Sequence, residues 1–225
     1  MSSFLDFRHF ENQYISRKAD NNTENGADMK TALSGIVVSG EPGSGKTTLA
    51  KLLAAEYEKG FYSFDQCLQE RYANEHPNND ITFEAYRKSM PRDAQLEAIK
   101  GARNHAQNGY VVDLVYAQMV DSSKCFTVYL KSSLRERVNR VSGRQEHSGK
   151  TYEEISESLI RKEEEEVSAG RKLSGLNYRD NNNYYFILDS SMLTPEETLT
   201  AVKSKIRERS GLIRAERGNL QLSHS

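Results

Sequence analysis

Tryptophan is absent from the 225 residues, proline occurs only 4 times and cysteine only 2 times. The two thiols, Cys67 and Cys125, lack the paired spacing of a zinc site or a disulfide framework, which leaves them as reduced core or boundary residues. No stretch approaches the roughly 20 apolar residues of a membrane-spanning helix. The N-terminus likewise has no basic start followed by an apolar run, so it does not read as a secretory signal. An excess of either charge is missing too: 31 Lys and Arg against 32 Asp and Glu leave a net charge of −1, which argues against nucleic acid or an anionic membrane as partner. These absences predict a soluble cytoplasmic protein, expected as a monomer, with a length that suits one domain.

Arg17 to Lys30 is polar and rich in Asn, so it buries too little apolar area to offset its ordering entropy. Residues 1–33 therefore read as a flexible leader, in which Phe4, Leu5, Phe7, Phe10 and Tyr14 fall at helical spacings, and 210–225 read as a flexible tail around a domain at 34–209. Within that domain five short apolar runs stand out: GIVVSG from Gly35, FYSF from Phe61, GYVVD from Gly109, CFTVYL from Cys125 and YYFILD from Tyr184. Runs apolar on successive residues suit strands covered on both faces, so the expected fold is α/β, a three-layer sandwich around a five-stranded parallel sheet.

Helices are expected over 46–59, closed by a left-handed Gly60, and over 92–108, with Leu96, Ile99, Ala102 and Ala106 buried and Gly109 as the stop. A last helix opens at Thr194, Pro195, Glu196 and Glu197, a cap, a first-turn proline and two dipole-compatible acids. Residues 132–175 are dominated by charge; their apolar positions are too sparse for a long buried helix, and they predict one or two helices projecting from the sheet as a lid.

Residues Gly40 to Thr48, GEPGSGKTT, match G-x-x-x-x-G-K-[ST] at Gly40, Gly45, Lys46 and Thr47, between an apolar strand and a helix pattern. Glycines at 40, 43 and 45 let successive N–H groups, including those of Ser44 and Thr48, converge on phosphate oxygens, and the helix N-terminus adds a favourable dipole. Lys46 supplies a point charge for the terminal phosphates and the Thr47 hydroxyl a ligand for Mg²⁺.

Phosphoryl transfer asks a protein chiefly for positioning and cations, and Arg137 and Arg140 share a helix face, with Arg144 just beyond. Asp113, ending YVVD, is placed to join the Mg²⁺ shell, and Asp65, ending FYSFD, to orient or deprotonate an acceptor hydroxyl; turn or cap roles are open to both.

In order along the chain, SGEPGSGKTTLAKLLA, FYSFDQCLQE, GYVVDLV, VYLKSSLRERVNRVSGRQ, an acidic helix carrying Arg161 and Arg171, and FILDSSMLTPEE resemble the cytidylate kinase-like family of nucleoside monophosphate kinases. The resemblance implies ATP and Mg²⁺, a nucleoside monophosphate such as CMP or dCMP as acceptor, an arginine-bearing lid and a base-contacting carboxylate at Asp93. Gln69 and the run DLVYAQ depart from it where the family carries arginines for the acceptor phosphate, leaving Arg71, Arg87 and Arg92 as substitutes. Two alternatives stay open: a kinase of another small molecule with Asp65 as base, and a nucleotide-binding regulatory protein with a decayed acceptor site.

Overall fold

The computed structural model describes residues 33–222 apart from Asn79, with side chains described up to Gly211 except that of Gln145. The aromatic face between Phe4 and Tyr14 lies outside the described residues. Strands β1 (Gly35–Gly40), β2 (Phe61–Ser63), β3 (Val111–Asp113), β4 (Cys125–Lys131) and β5 (Phe186–Asp189) form one sheet in the order β2-β3-β1-β4-β5. Every pairing is parallel. Helix α1 (Lys46–Glu56) follows β1; α2 (Phe64–Glu75), α3 (Phe83–Ser89) and α4 (Arg92–Gln107) lie between β2 and β3. Helices α5 (Leu134–Ser142) and α6 (Tyr152–Ser174) separate β4 from β5, and α7 (Pro195–Leu222) closes the chain.

The unalternating strand runs are explained by cores on both faces. Val37 packs with Ile99, Ala102 and Ala106 of α4 on one side, while Ile36 and Val38 meet Leu49, Leu52 and Leu53 of α1 and Leu199, Val202 and Ile206 of α7 on the other. A third, small cluster of Val138, Val141, Ile155 and Leu159 joins α5 to α6. No helix among the described residues is long and apolar enough to cross a membrane.

Three expectations need correction. Helix α1 stops at Glu56, and the left-handed residue after it is Glu58 (φ 51°) instead of Gly60. Gly60 is there for space: a Cβ on it would sit 2.4 Å from the Tyr110 ring. The region beyond 209 is helical to Leu222. Finally, α6 is a 23-residue helix with a continuous buried stripe, Ile155, Leu159, Glu163, Glu166, Gly170 and Leu173. Two carboxylates occupy that stripe, so its apolar count understates its burial.

Gly35 opens β1 against α4, where a Cβ would fall 2.1 Å from the carbonyl oxygen of Ala106 and 2.7 Å from that of Tyr110. Both are backbone atoms that cannot turn aside. Gly35→Ala is therefore expected to lose about 1–3 kcal/mol of stability, read as a lower urea midpoint at unchanged m.

Candidate active site

The register sets Val38 beside Asp113 on one side and Val128 on the other, so the C-terminal ends of the central strands and the loop after β1 open at one edge. In α/β sheets that edge is where ligands collect. The loop's shape depends on its glycines. Gly43 and Gly45 are left-handed, at φ 81° and 97°, and a Cβ on Gly40 would lie 2.4 Å from the Leu130 carbonyl oxygen. No side chain caps α1 and its first turn carries no acid, so its leading N–H groups are available to an anion.

A cavity of about 120 Å³ lies over this loop. Lys46, Arg144 and Lys162 bring it positive charge; Asp65, Asp113 and Glu166 bring negative. Thr47 donates from Oγ1 to Asp113 Oδ2 at 2.5 Å, and Lys46 Nζ donates to the Glu41 carbonyl oxygen at 3.0 Å. Burial pushes the Asp113 carboxyl upward, against the pull of Lys46 and the Thr47 hydrogen bond. Burial pushes the Lys46 ammonium down, against the pull of Glu166 and Asp113. A divalent cation beside Thr47 and Asp113 would supply the charge this buried acid lacks. Among the described residues no group of three His, Cys, Asp or Glu forms a protein cage for a metal. That suits Mg²⁺, which usually takes one or two protein ligands and completes its shell with phosphate oxygens and water.

Asp65 stands in the first turn of α2, which starts directly after β2 because the Ser63 side chain accepts from the Gln66 N–H. Burial raises its pKa, but Arg87, Lys162 and Lys46 outweigh that and hold the carboxyl below its ordinary range. Arg87 Nη1 is 3.8 Å from Asp65 Oδ1.

The lid arginines divide. Arg144 lines the cavity. Arg137 and Arg140 share a helix face as expected, but that face is engaged elsewhere and neither lines the cavity. Arg137 is buried, bonding Glu163 at 2.9 Å and lying 3.7 Å from Glu41. Arg140 donates to the carbonyl oxygens of Ser44, at 3.0 Å, and Ser190. Both hold the outside of the phosphate loop. Arg179 completes the first set, 2.7 Å from Glu163 and 3.8 Å from Glu41.

On the far side, Arg71 is exposed and tied to Glu75 at 2.6 Å, and Asp93 is exposed in the first turn of α4. Arg92 donates to the Leu173 carbonyl oxygen at 3.2 Å. None of the three lines the cavity. Arg161 and Arg171 are exposed on α6, and Tyr116 packs edge-on to Phe64 and Tyr178 as a core residue. Lys162 and Glu166, not among the candidates named from the sequence, also line the cavity. Their signal was the four-residue spacing that puts both on one face of α6.

Residues 36–169 match the family described as AAA domain. The chain belongs to this family. Two similar proteins are the cytidylate kinase of Ignicoccus hospitalis, 28% identical over 174 residues covering 75% of this chain and 96% of that one, and that of Methanopyrus kandleri, 28% identical over 182 residues covering 76% and 92%. In fold it is similar to a gluconokinase from Sinorhizobium meliloti 1021, with a TM-score of 0.55 at 13% identity over 82% of this chain and 98% of that one. A cytidylate kinase-like P-loop kinase fold, read from the motifs, is what the family match, the relatives and the sheet order show.

Within that fold Glu166 has an unusual setting. It is 3% exposed, its Oε2 lies 3.4 Å from the Tyr178 hydroxyl, and burial pushes its pKa up in spite of Lys46 and Lys162. A carboxyl whose folded pKa is raised adds stability that is present below its unfolded value near 4.5 and is lost as pH rises through the folded value. Glu166→Gln should therefore raise Tm at pH 7, with the gain disappearing near pH 4. Thermal unfolding at the two pH values checks it.

Proposed function

We propose that the protein transfers the terminal phosphoryl group of ATP, as its Mg²⁺ complex, to a small-molecule acceptor. The observation that carries this reading is the Thr47 hydroxyl bonded to Asp113 beside a half-buried Lys46, at the mouth of an uncapped helix whose loop glycines are left-handed. In this reading the loop N–H groups and Lys46 hold the β- and γ-phosphates, and Thr47 and Asp113 hold Mg²⁺, which would neutralise charge on those phosphates. Arg144 and Lys162 reach the triphosphate from the lid side, and Asp65 faces the acceptor. Transfer needs little covalent help from the protein, so alignment and fixed charge supply the acceleration.

The relatives' names make nucleoside monophosphates, CMP and dCMP first, one acceptor class to test on this chain. The experiment is ADP formation from ATP and Mg²⁺ with CMP, dCMP, UMP and AMP as acceptors. Acceptor-dependent ADP formation supports transfer. ADP formation that Lys46→Ala leaves unchanged would sink the assignment.

A further inference from the structure

We propose that the acceptor presents a hydroxyl in place of a phosphate, and that Asp65 is the base that deprotonates it. This narrows the acceptor and rests on the phosphotransferase reading above.

The first ground is charge. Three cations line the cavity, Lys46, Arg144 and Lys162, against three carboxylates, Asp65, Asp113 and Glu166. A bound triphosphate engages those cations, and among the described residues no fourth cation lines the cavity for a second phosphate. Of the three arginines offered for an acceptor phosphate, Arg71 is paired with Glu75, Arg92 donates to the Leu173 carbonyl oxygen, and Arg87 lies 3.8 Å from Asp65 itself. After Asp113 the chain continues with Leu114, Val115 and Tyr116, all buried and none cationic. A phosphate monoester entering here would meet the Asp65 carboxylate without the charge-assisted bonds, about 1.5–3 kcal/mol each, that would compensate its lost hydration.

The second ground is the disposition of Asp65. The residue lines the cavity, and its Oδ1 is buried and accepts no hydrogen bond. Arg87 lies on that oxygen's side at 3.8 Å, from α3, and orients the carboxylate without consuming it. Lys162 and Lys46 help keep it ionised, so it enters the reaction as a base. A phosphate acceptor is already ionised at neutral pH and needs no base; a hydroxyl does.

In the step, the acceptor R–OH gives its proton to Asp65 as its oxygen bonds to the γ-phosphorus. The bond between that phosphorus and the β,γ-bridging oxygen breaks, and ADP leaves with the electron pair. Asp65 then releases the proton to water.

The test uses the full chain with ATP and Mg²⁺ against two panels: sugars, polyols, hydroxy acids and nucleosides in one, and CMP, dCMP, UMP and AMP in the other. At least one hydroxyl compound is expected to stimulate ADP formation. Asp65→Asn should reduce that turnover by about 10²–10⁴-fold, with ATP affinity by calorimetry unchanged as the check on folding. Stimulation by monophosphates alone, or a hydroxyl response that Asp65→Asn leaves intact, overturns the inference and keeps the phosphotransferase reading. No transfer to any compound removes both.

Discussion

Lys46→Ala is expected to abolish nearly all phosphoryl transfer, a fall of about 10²–10³-fold in kcat, the scale seen when one pre-set charge aimed at a transition state is removed. The same variant should keep its thermal stability. Burial depresses the Lys46 ammonium although Glu166, Asp113 and Asp65 all draw it upward. A lysine with a lowered folded pKa opposes folding wherever the unfolded chain binds that proton, at pH below its ordinary 10.5, so deleting it at pH 7 relieves that opposition. The hydrogen bond from Lys46 to the Glu41 carbonyl oxygen offsets part of the gain. Activity lost with Tm retained is the signature of a cation kept for function; kinetics and a melting curve on one preparation measure both.

The second large effect is on stability. Glu163→Ala should destabilise the fold by about 3 kcal/mol, because breaking a buried ion pair leaves the partner charge uncompensated. For a domain of this size that is a fall in Tm of about 6–12 °C. Glu163 is bonded to Arg137 at 2.9 Å and to Arg179 at 2.7 Å, and Glu41 is 3.7 Å and 3.8 Å from the same two arginines. Glu41 also accepts from the Ser132 N–H at 2.9 Å, so the network ties the phosphate loop to the end of β4, to α5 and to α6. Arg137 is 7% exposed, so with Glu163 gone it cannot rehydrate easily. Glu163→Gln keeps an oxygen acceptor and should lose less. Equal Tm values for wild type and Glu163→Ala would refute the network's role.

Sequence legibility followed physical rules. The five strands were readable because both faces of a parallel sheet are covered, as with Val37 against α4 and Val38 against α1. The phosphate loop is readable because it depends on residues with few substitutes, left-handed glycines at 43 and 45 and the half-buried Lys46. Arg137 and Arg140 were correctly placed on one face. Which way that face turns depends on Glu163, which is 26 residues from Arg137, and on Ser190, 50 from Arg140, and no local pattern carries such partners. The burial of α6 was hidden for a related reason, since Glu163 and Glu166 occupy stripe positions where hydropathy expects apolar residues. Arg71 and Arg92 lie in the anticipated segment, but their side chains are bound to Glu75 and Leu173 outside the cavity.

Movement of a phosphoryl group from ATP to an acceptor in this cavity leaves a direct trace in the phosphorus spectrum. That transfer is tested most directly by following the ³¹P spectrum of ATP and Mg²⁺ with the protein and the two acceptor panels. The γ-phosphate signal is expected to give way to ADP and a new phosphorylated product, in wild type and not in Lys46→Ala. Conversion to ADP and inorganic phosphate alone, or a product that forms equally with Lys46→Ala, would contradict it.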